Sequence, residues 1–114
     1  MPLNILFFLV AAVLAAGCSR APVLLTIQNE SPLTLSNVVA SGSGFSERIA
    51  SISSGRERHL NIRPQGKSTV RLVYNAGAQH LDSGPQAYFD SDQVYRVMAN
   101  IKSNLRVSVS WESH

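Results

Sequence analysis

The sequence predicts an all-β fold, an antiparallel β-sandwich of seven to eight short strands, and three observations carry that prediction. From Val23 onward, aliphatic and β-branched residues recur at every second position, the period of a strand with one buried face. Turn residues interrupt the pattern at short intervals, as they do between the strands of a sandwich. No window shows helical periodicity or a run of strong helix formers.

Taken in order, residues 23–28 set Val23, Leu25 and Ile27 against Leu24, Thr26 and Gln28, and Asn29-Glu30-Ser31-Pro32 breaks the strand. Residues 35–41 form a second strand, ended by Gly42-Ser43-Gly44. Residues 45–52 form a third, with Ser53-Ser54-Gly55 as its turn, and residues 57–63 a fourth, closed by Pro64-Gln65-Gly66. Residues 68–75 alternate Val70, Leu72 and Tyr74 against Thr69, Arg71 and Val73, and a loop is expected over 76–85. A short strand over 87–89 precedes the turn Asp90-Ser91-Asp92. Residues 94–101 place Tyr95, Val97, Ala99 and Ile101 on one face. Residues 105–111 do the same with Leu105, Val107, Val109 and Trp111.

Ahead of the strands, residues 5–16 are an apolar run that ends in Leu14-Ala15-Ala16-Gly17-Cys18, where the sole cysteine stands. The run is too short for a spanning helix, which needs roughly 20 apolar residues. It suits the core of a secretory signal, about 7 to 15 residues followed by small ones. This end resembles the lipobox of bacterial lipoprotein precursors, although Ala15 stands where leucine is usual and Met1 to Asn4 carries no Lys or Arg. The resemblance implies cleavage before Cys18, a diacylglyceryl group on its sulfur and acylation of the new amine. It divides the chain into a signal peptide (1–17), a lipidated N-terminus and short linker (18–22) and a sandwich domain (23–114). Ser19, where an aspartate would retain the protein at the inner membrane, implies the periplasm-facing leaflet of the outer membrane. The sandwich itself resembles the immunoglobulin-like domains of small exported bacterial proteins, without the Cys-Trp-Cys core of antibody domains.

All ten Lys and Arg and all seven Asp and Glu follow Cys18, a formal balance of +3. That balance lacks the dense basic stripe of a nucleic-acid binder, so no nucleic acid is expected as partner. With Cys18 committed to lipid, no disulfide is expected, and the fold rests on its core. Metal ligation is not expected either: His59, His80 and His114 fall far apart, and only His80-x-Asp82 has close spacing. Asp90-Ser91-Asp92 lacks the glycine and later carboxylate of a calcium loop and reads as a capping turn. There is no Gly-x-Ser-x-Gly elbow, and Gly42-Ser43-Gly44 lacks the lysine and helix of a phosphate-binding loop, so neither an enzyme nor a cofactor is expected. Asn29-Glu30-Ser31 has the form of a glycosylation sequon but is followed by Pro32.

One cluster has a functional slant. Arg56, Arg58, His59, Arg63, Lys67 and Arg71 form a candidate basic binding patch for an anionic surface or acidic partner, with Glu47 and Glu57 nearby to cancel part of the charge. The bland alternative is that exposed arginines keep strand edges from pairing. The expected function is a lipid-anchored, non-catalytic binding or structural module of the cell envelope, tied to the membrane through Cys18 and to an envelope protein partner. The alternative is a periplasmic lipoprotein that binds a metal or small anion through His59, His80 and the arginines.

Overall fold

The computed structural model describes residues 22–114; the expected signal peptide (1–17), Cys18 and residues 19–21 of the expected linker lie outside the described residues. Nine strands follow one another, with no helix among the described residues: β1 (Val23–Asn29), β2 (Leu35–Gly42), β3 (Phe45–Ile52), β4 (Glu57–Ile62), β5 (Lys67–Ala76), β6 (Gln79–Asp82), β7 (Gln86–Asp90), β8 (Val94–Ile101) and β9 (Val107–Ser113). They form two sheets. One has the order β4-β1-β8-β9; the other has the order β3-β2-β5-β6, with β7 also paired to β5.

The period-two pattern puts one face of each sheet into a single shared core. Leu25 and Ile27 of β1 and Val97, Ala99 and Ile101 of β8 meet Val38 of β2 and Val70, Leu72 and Tyr74 of β5, none more than 1% exposed. Burying a valine, leucine or isoleucine side chain contributes about 1.5–3 kcal/mol. A core of eighteen buried apolar residues therefore supplies the main force against chain entropy.

Three expectations are corrected. The sandwich is not wholly antiparallel, because β1 runs parallel to β8, with Leu24 beside Arg96 and Asn29 beside Ile101. Both strands are rich in buried apolar residues and so compete for the centre of the same sheet. Residues 76–85 are not one loop. Ala76 pairs with Gln79 across a two-residue turn, with Gly77 at φ 60°, so β5 and β6 form a tight hairpin. Third, Tyr95 leaves the core and Val94 takes its place, because the β8–β9 ladder shifts register between Val94 and Arg96. A bulge of this kind reverses the face of every residue on one side of it.

Two further bulges shape the second sheet. Asn37 (φ 48°) lies inside the register shift between β2 and β5, and Ala87 (φ 57°) inside that between β5 and β7. Between β6 and β7, Ser83 continues the pairing: its N–H donates to the Leu72 carbonyl and its hydroxyl accepts from the Leu72 N–H. β6 and β7 therefore make one interrupted edge, kinked at Gly84 and Pro85, positions where a proline needs no ladder partner.

Candidate functional site

The predicted basic patch is divided by the topology. β4 is an edge of the first sheet, whereas β5 lies inside the second. On β4, Leu60 and Ile62 pair with Leu25 and Val23, so His59 faces outward, as the strand period requires. Its ring is held from both sides: Nδ1 lies 2.9 Å from the Thr26 hydroxyl and Nε2 lies 3.3 Å from Glu57. Arg58, in register with Ile27, points to the core side of its edge strand and donates to the Ser51 carbonyl of β3. Arg56 closes the turn before β4, its N–H bonded to the Ser53 carbonyl. Arg63 follows β4 at the opposite end of the strand, where it is exposed.

The remaining two residues stand opposite carboxylates. Lys67 is in register with Asp90 of β7. Arg71 makes a bidentate ion pair with Asp82 of β6, its Nε 2.9 Å from Oδ1 and its Nη2 on Oδ2. Arg71 and the Gly84 N–H hold the Asp82 carboxyl well below the usual range, and Asp82 in turn raises Arg71. The six residues thus do not converge on one surface.

The histidines do not converge either. His80 Nδ1 donates to Asn75 Oδ1 at 2.6 Å on the outer face of the second sheet, and its neighbour Asp82 is already committed to Arg71. His114 packs its ring, tilted by 37°, 5.2 Å from that of Tyr95. Among the described residues no group of three or more His, Cys, Asp or Glu has metal-site geometry. In the Asp90-Ser91-Asp92 turn, the Asp92 N–H donates to Asp90 Oδ1 at 3.0 Å, the capping geometry of an Asx turn.

Two features went unpredicted. The first is a cleft of about 380 Å³ between the sheets, where β6 and β7 face the start of β9. Its floor is Tyr74, which donates to the Leu105 carbonyl at 2.6 Å and whose burial raises its pKa. Ser83, Gln86 and Arg106 line its sides. Leu105 on one wall holds φ 67°, and Ala87 beside Gln86 is likewise left-handed. No local motif marks this cleft in the sequence, because three separate segments build it.

The second feature is an aromatic corner. Large hydrophobic side chains exposed at the surface are Leu33, Tyr88, Tyr95 and Trp111. The last three lie toward the end of the sandwich where β1 begins, on three strands, with Tyr88 and Tyr95 on outer faces and Trp111 on the inner side of the β9 edge. Register places Tyr95 next to the start of β1, since Leu24 pairs with Arg96. Trp111 pairs with Val97, and its ring lies 6.5 Å from Phe89, the neighbour of Tyr88. Tyr95 donates to Glu112 at 2.5 Å, and that hydrogen bond, with the Glu112 charge behind it, pushes the phenol pKa up. The available signal was positional: Tyr88, Tyr95 and Trp111 all fall within a few residues of a strand end.

No protein-family model and no curated protein matches this chain. Among solved structures, an NMR structure of a protein from Eubacterium rectale superposes with a TM-score of 0.57 at 11% identity, over 82% of this chain and 90% of that one. That likeness shows a shared all-β fold.

Proposed function

We propose that the protein is a lipid-anchored envelope module that acts by binding, tethered through Cys18 on the periplasmic side of an outer membrane. The observation that carries this reading is the position of Val23, five residues after Cys18. It is fully buried in β1, which lies inside its sheet between β4 and β8. At about 3.5 Å per extended residue, the intervening chain holds the domain within roughly 15 Å of a lipidated Cys18. Such confinement raises the effective concentration toward any partner in the same layer. In this reading the fold is a sandwich of the immunoglobulin-like kind in layer architecture, supported by its two packed sheets.

The accessible partner surface is the β9 edge. β3 turns Glu47 and β4 turns Arg58 toward the core side of their edges, and β6–β7 is bulged and carries Pro85. Inward-pointing charge, bulges and proline are the devices that keep strands from pairing with strangers. β9 has none of them over residues 107–111, so it can accept an added strand. A role in binding rather than catalysis is supported by what the shifted groups do: Asp82 faces Arg71, Tyr95 faces Glu112 and Tyr74 faces a backbone carbonyl.

The test is cross-linking in intact cells, comparing the native chain with a Cys18→Ala variant exported without lipid. A defined envelope protein captured by the anchored form alone, with links on β9, supports the reading. Recovery of both forms in the soluble fraction overturns the anchor. The cleft favours a second reading, a lipoprotein that binds a small anion, because Arg106 offers a guanidinium beside Ser83 and Gln86, while Asp82, which also lines the cleft, is paired with Arg71. A thermal shift with inorganic phosphate that Arg106→Gln removes supports it; a flat response counts against it.

A further inference from the structure

We propose that the aromatic corner of the sandwich is a membrane contact, seated in the headgroup region of the bilayer that holds the anchor. The inference rests on the lipid-anchor reading and adds an orientation to it.

Three independent features converge on one end. Most of the large exposed hydrophobic side chains, Tyr88, Tyr95 and Trp111, are there, and Tyr88 is 67% exposed. Tyr and Trp have an apolar body and a polar tip, the combination that favours the boundary between water and hydrocarbon. The chain also enters the domain at this end, since the β1–β8 ladder opens with Leu24 beside Arg96, the residue after Tyr95. With only residues 19–22 between Cys18 and Val23, a lipid on Cys18 brings this end, and not the Leu33 end, against the bilayer. Finally, the corner is held in shape. Tyr95 is bonded to Glu112 and ringed by His114, the His114 N–H is bonded to the Gln93 carbonyl, and Trp111 is braced by Phe89. Little side-chain freedom is therefore left to lose on contact.

Charge decides the kind of contact. Arg63, Lys67 and Arg96 lie at this end together with Asp90, Asp92 and Glu112, and Arg20 of the linker adds one positive charge, so the local surplus is a single charge. Electrostatic adsorption to anionic lipid has little to draw on. The occupant is the interface of a zwitterionic bilayer, met through aromatic side chains, and the contact depends little on salt.

Trp111 is the sole tryptophan and so reports on the corner directly. The chain is purified with its lipid from membranes, its mass is checked at Cys18, and it is reconstituted into phosphatidylcholine vesicles with brominated acyl chains. The expected result is loss of most Trp111 emission to bromines near the headgroups and little to bromines near the chain ends. Shielding from aqueous iodide accompanies the loss, and both effects change little between low and high salt. The double variant Tyr88→Ser, Tyr95→Ser reduces both, while circular dichroism shows it folded. A lipidated, vesicle-bound chain whose Trp111 is unquenched by bromine and open to iodide overturns the contact but leaves the anchor standing. Shielding from iodide without bromine quenching assigns the corner to a second copy or another protein and also overturns it. Quenching that vanishes at high salt replaces the aromatic contact with an electrostatic one. A chain with no lipid that fails to sediment with vesicles defeats both the anchor and the contact.

Discussion

Tyr74 shows how much a single side chain settles in this domain. It is 1% exposed, and its hydroxyl ties β5 to the Leu105 carbonyl, 31 positions later in the chain. Tyr74→Phe removes that bond and leaves the carbonyl at the cleft, where water can reach it. The expected loss is about 1 kcal/mol, read as a lower urea midpoint at unchanged slope. Burial raises the Tyr74 pKa, so the neutral phenol is favoured in the folded state. The stability this brings is fully present below pH of about 10, the unfolded value, and is lost as pH rises through the folded one. Melting temperatures measured across the alkaline range should therefore fall beyond that of a Tyr74→Phe control. Asn29 has a similar reach: its amide donates to the Leu33 and Ile52 carbonyls, and its oxygen accepts from Ser31. Asn29→Ala leaves those groups unpaired and should cost about 2–3 kcal/mol. Asn100 is the opposite case, since its buried Oδ1 has no hydrogen-bond partner. Asn100→Val should be neutral or stabilising in the same denaturation assay, and a loss above about 1 kcal/mol would show a hidden partner. At this scale the sequence was a partial guide. The outward face of His59 followed from Leu60 and Ile62, but its bond to Thr26 depends on a strand 33 positions away.

The strands that were legible are those with one wet and one dry face. β5 is the clearest case, with every second residue from Ser68 to Ala76 buried, and glycine or proline stands at the bends from β2 to β5. β6 escaped notice because an edge strand with Gln79, His80 and Asp82 exposed has almost no apolar period to read. β8 was placed correctly but turned wrongly at its start, since alternation assumes an unbroken ladder and the bulge at Val94 breaks it. In β9, Val107, Val109 and Trp111 alternate with serines, yet Trp111 is 45% exposed because nothing covers an edge completely. Glycine marks one element boundary with little tolerance. A Cβ on Gly42 would stand 2.3 Å from the Thr69 carbonyl oxygen and 2.4 Å from the Phe45 ring. Gly42→Ala should cost about 2 kcal/mol or more through displacement of the β2–β3 hairpin, whereas Gly77→Ala meets no atom and pays only for its φ of 60°. Parallel thermal melts of the two variants separate overpacking from backbone strain.

For the molecule as a whole, the two-layer architecture was legible and the strand order was not. Periodicity gives each strand a dry face, and dry faces must pair in layers. Which strands become neighbours depends on contacts far apart in sequence, such as Leu24 with Arg96, and local pattern carries no record of them. The same separation divided the basic patch, since residues close in the chain were sent to different sheets. Pairings of this range also make folding slow, so refolding from urea should take milliseconds to seconds in stopped-flow fluorescence of Trp111. The parallel contact between β1 and β8 has a mechanical side. Tension applied at the start of β1 runs along a strand gripped by six register pairs on β4 and six on β8. Those hydrogen bonds lie across the pull and must slip together in shear, whereas a hairpin at the rim would peel open one bond at a time. A domain hung from this strand meets force where its fold resists it most.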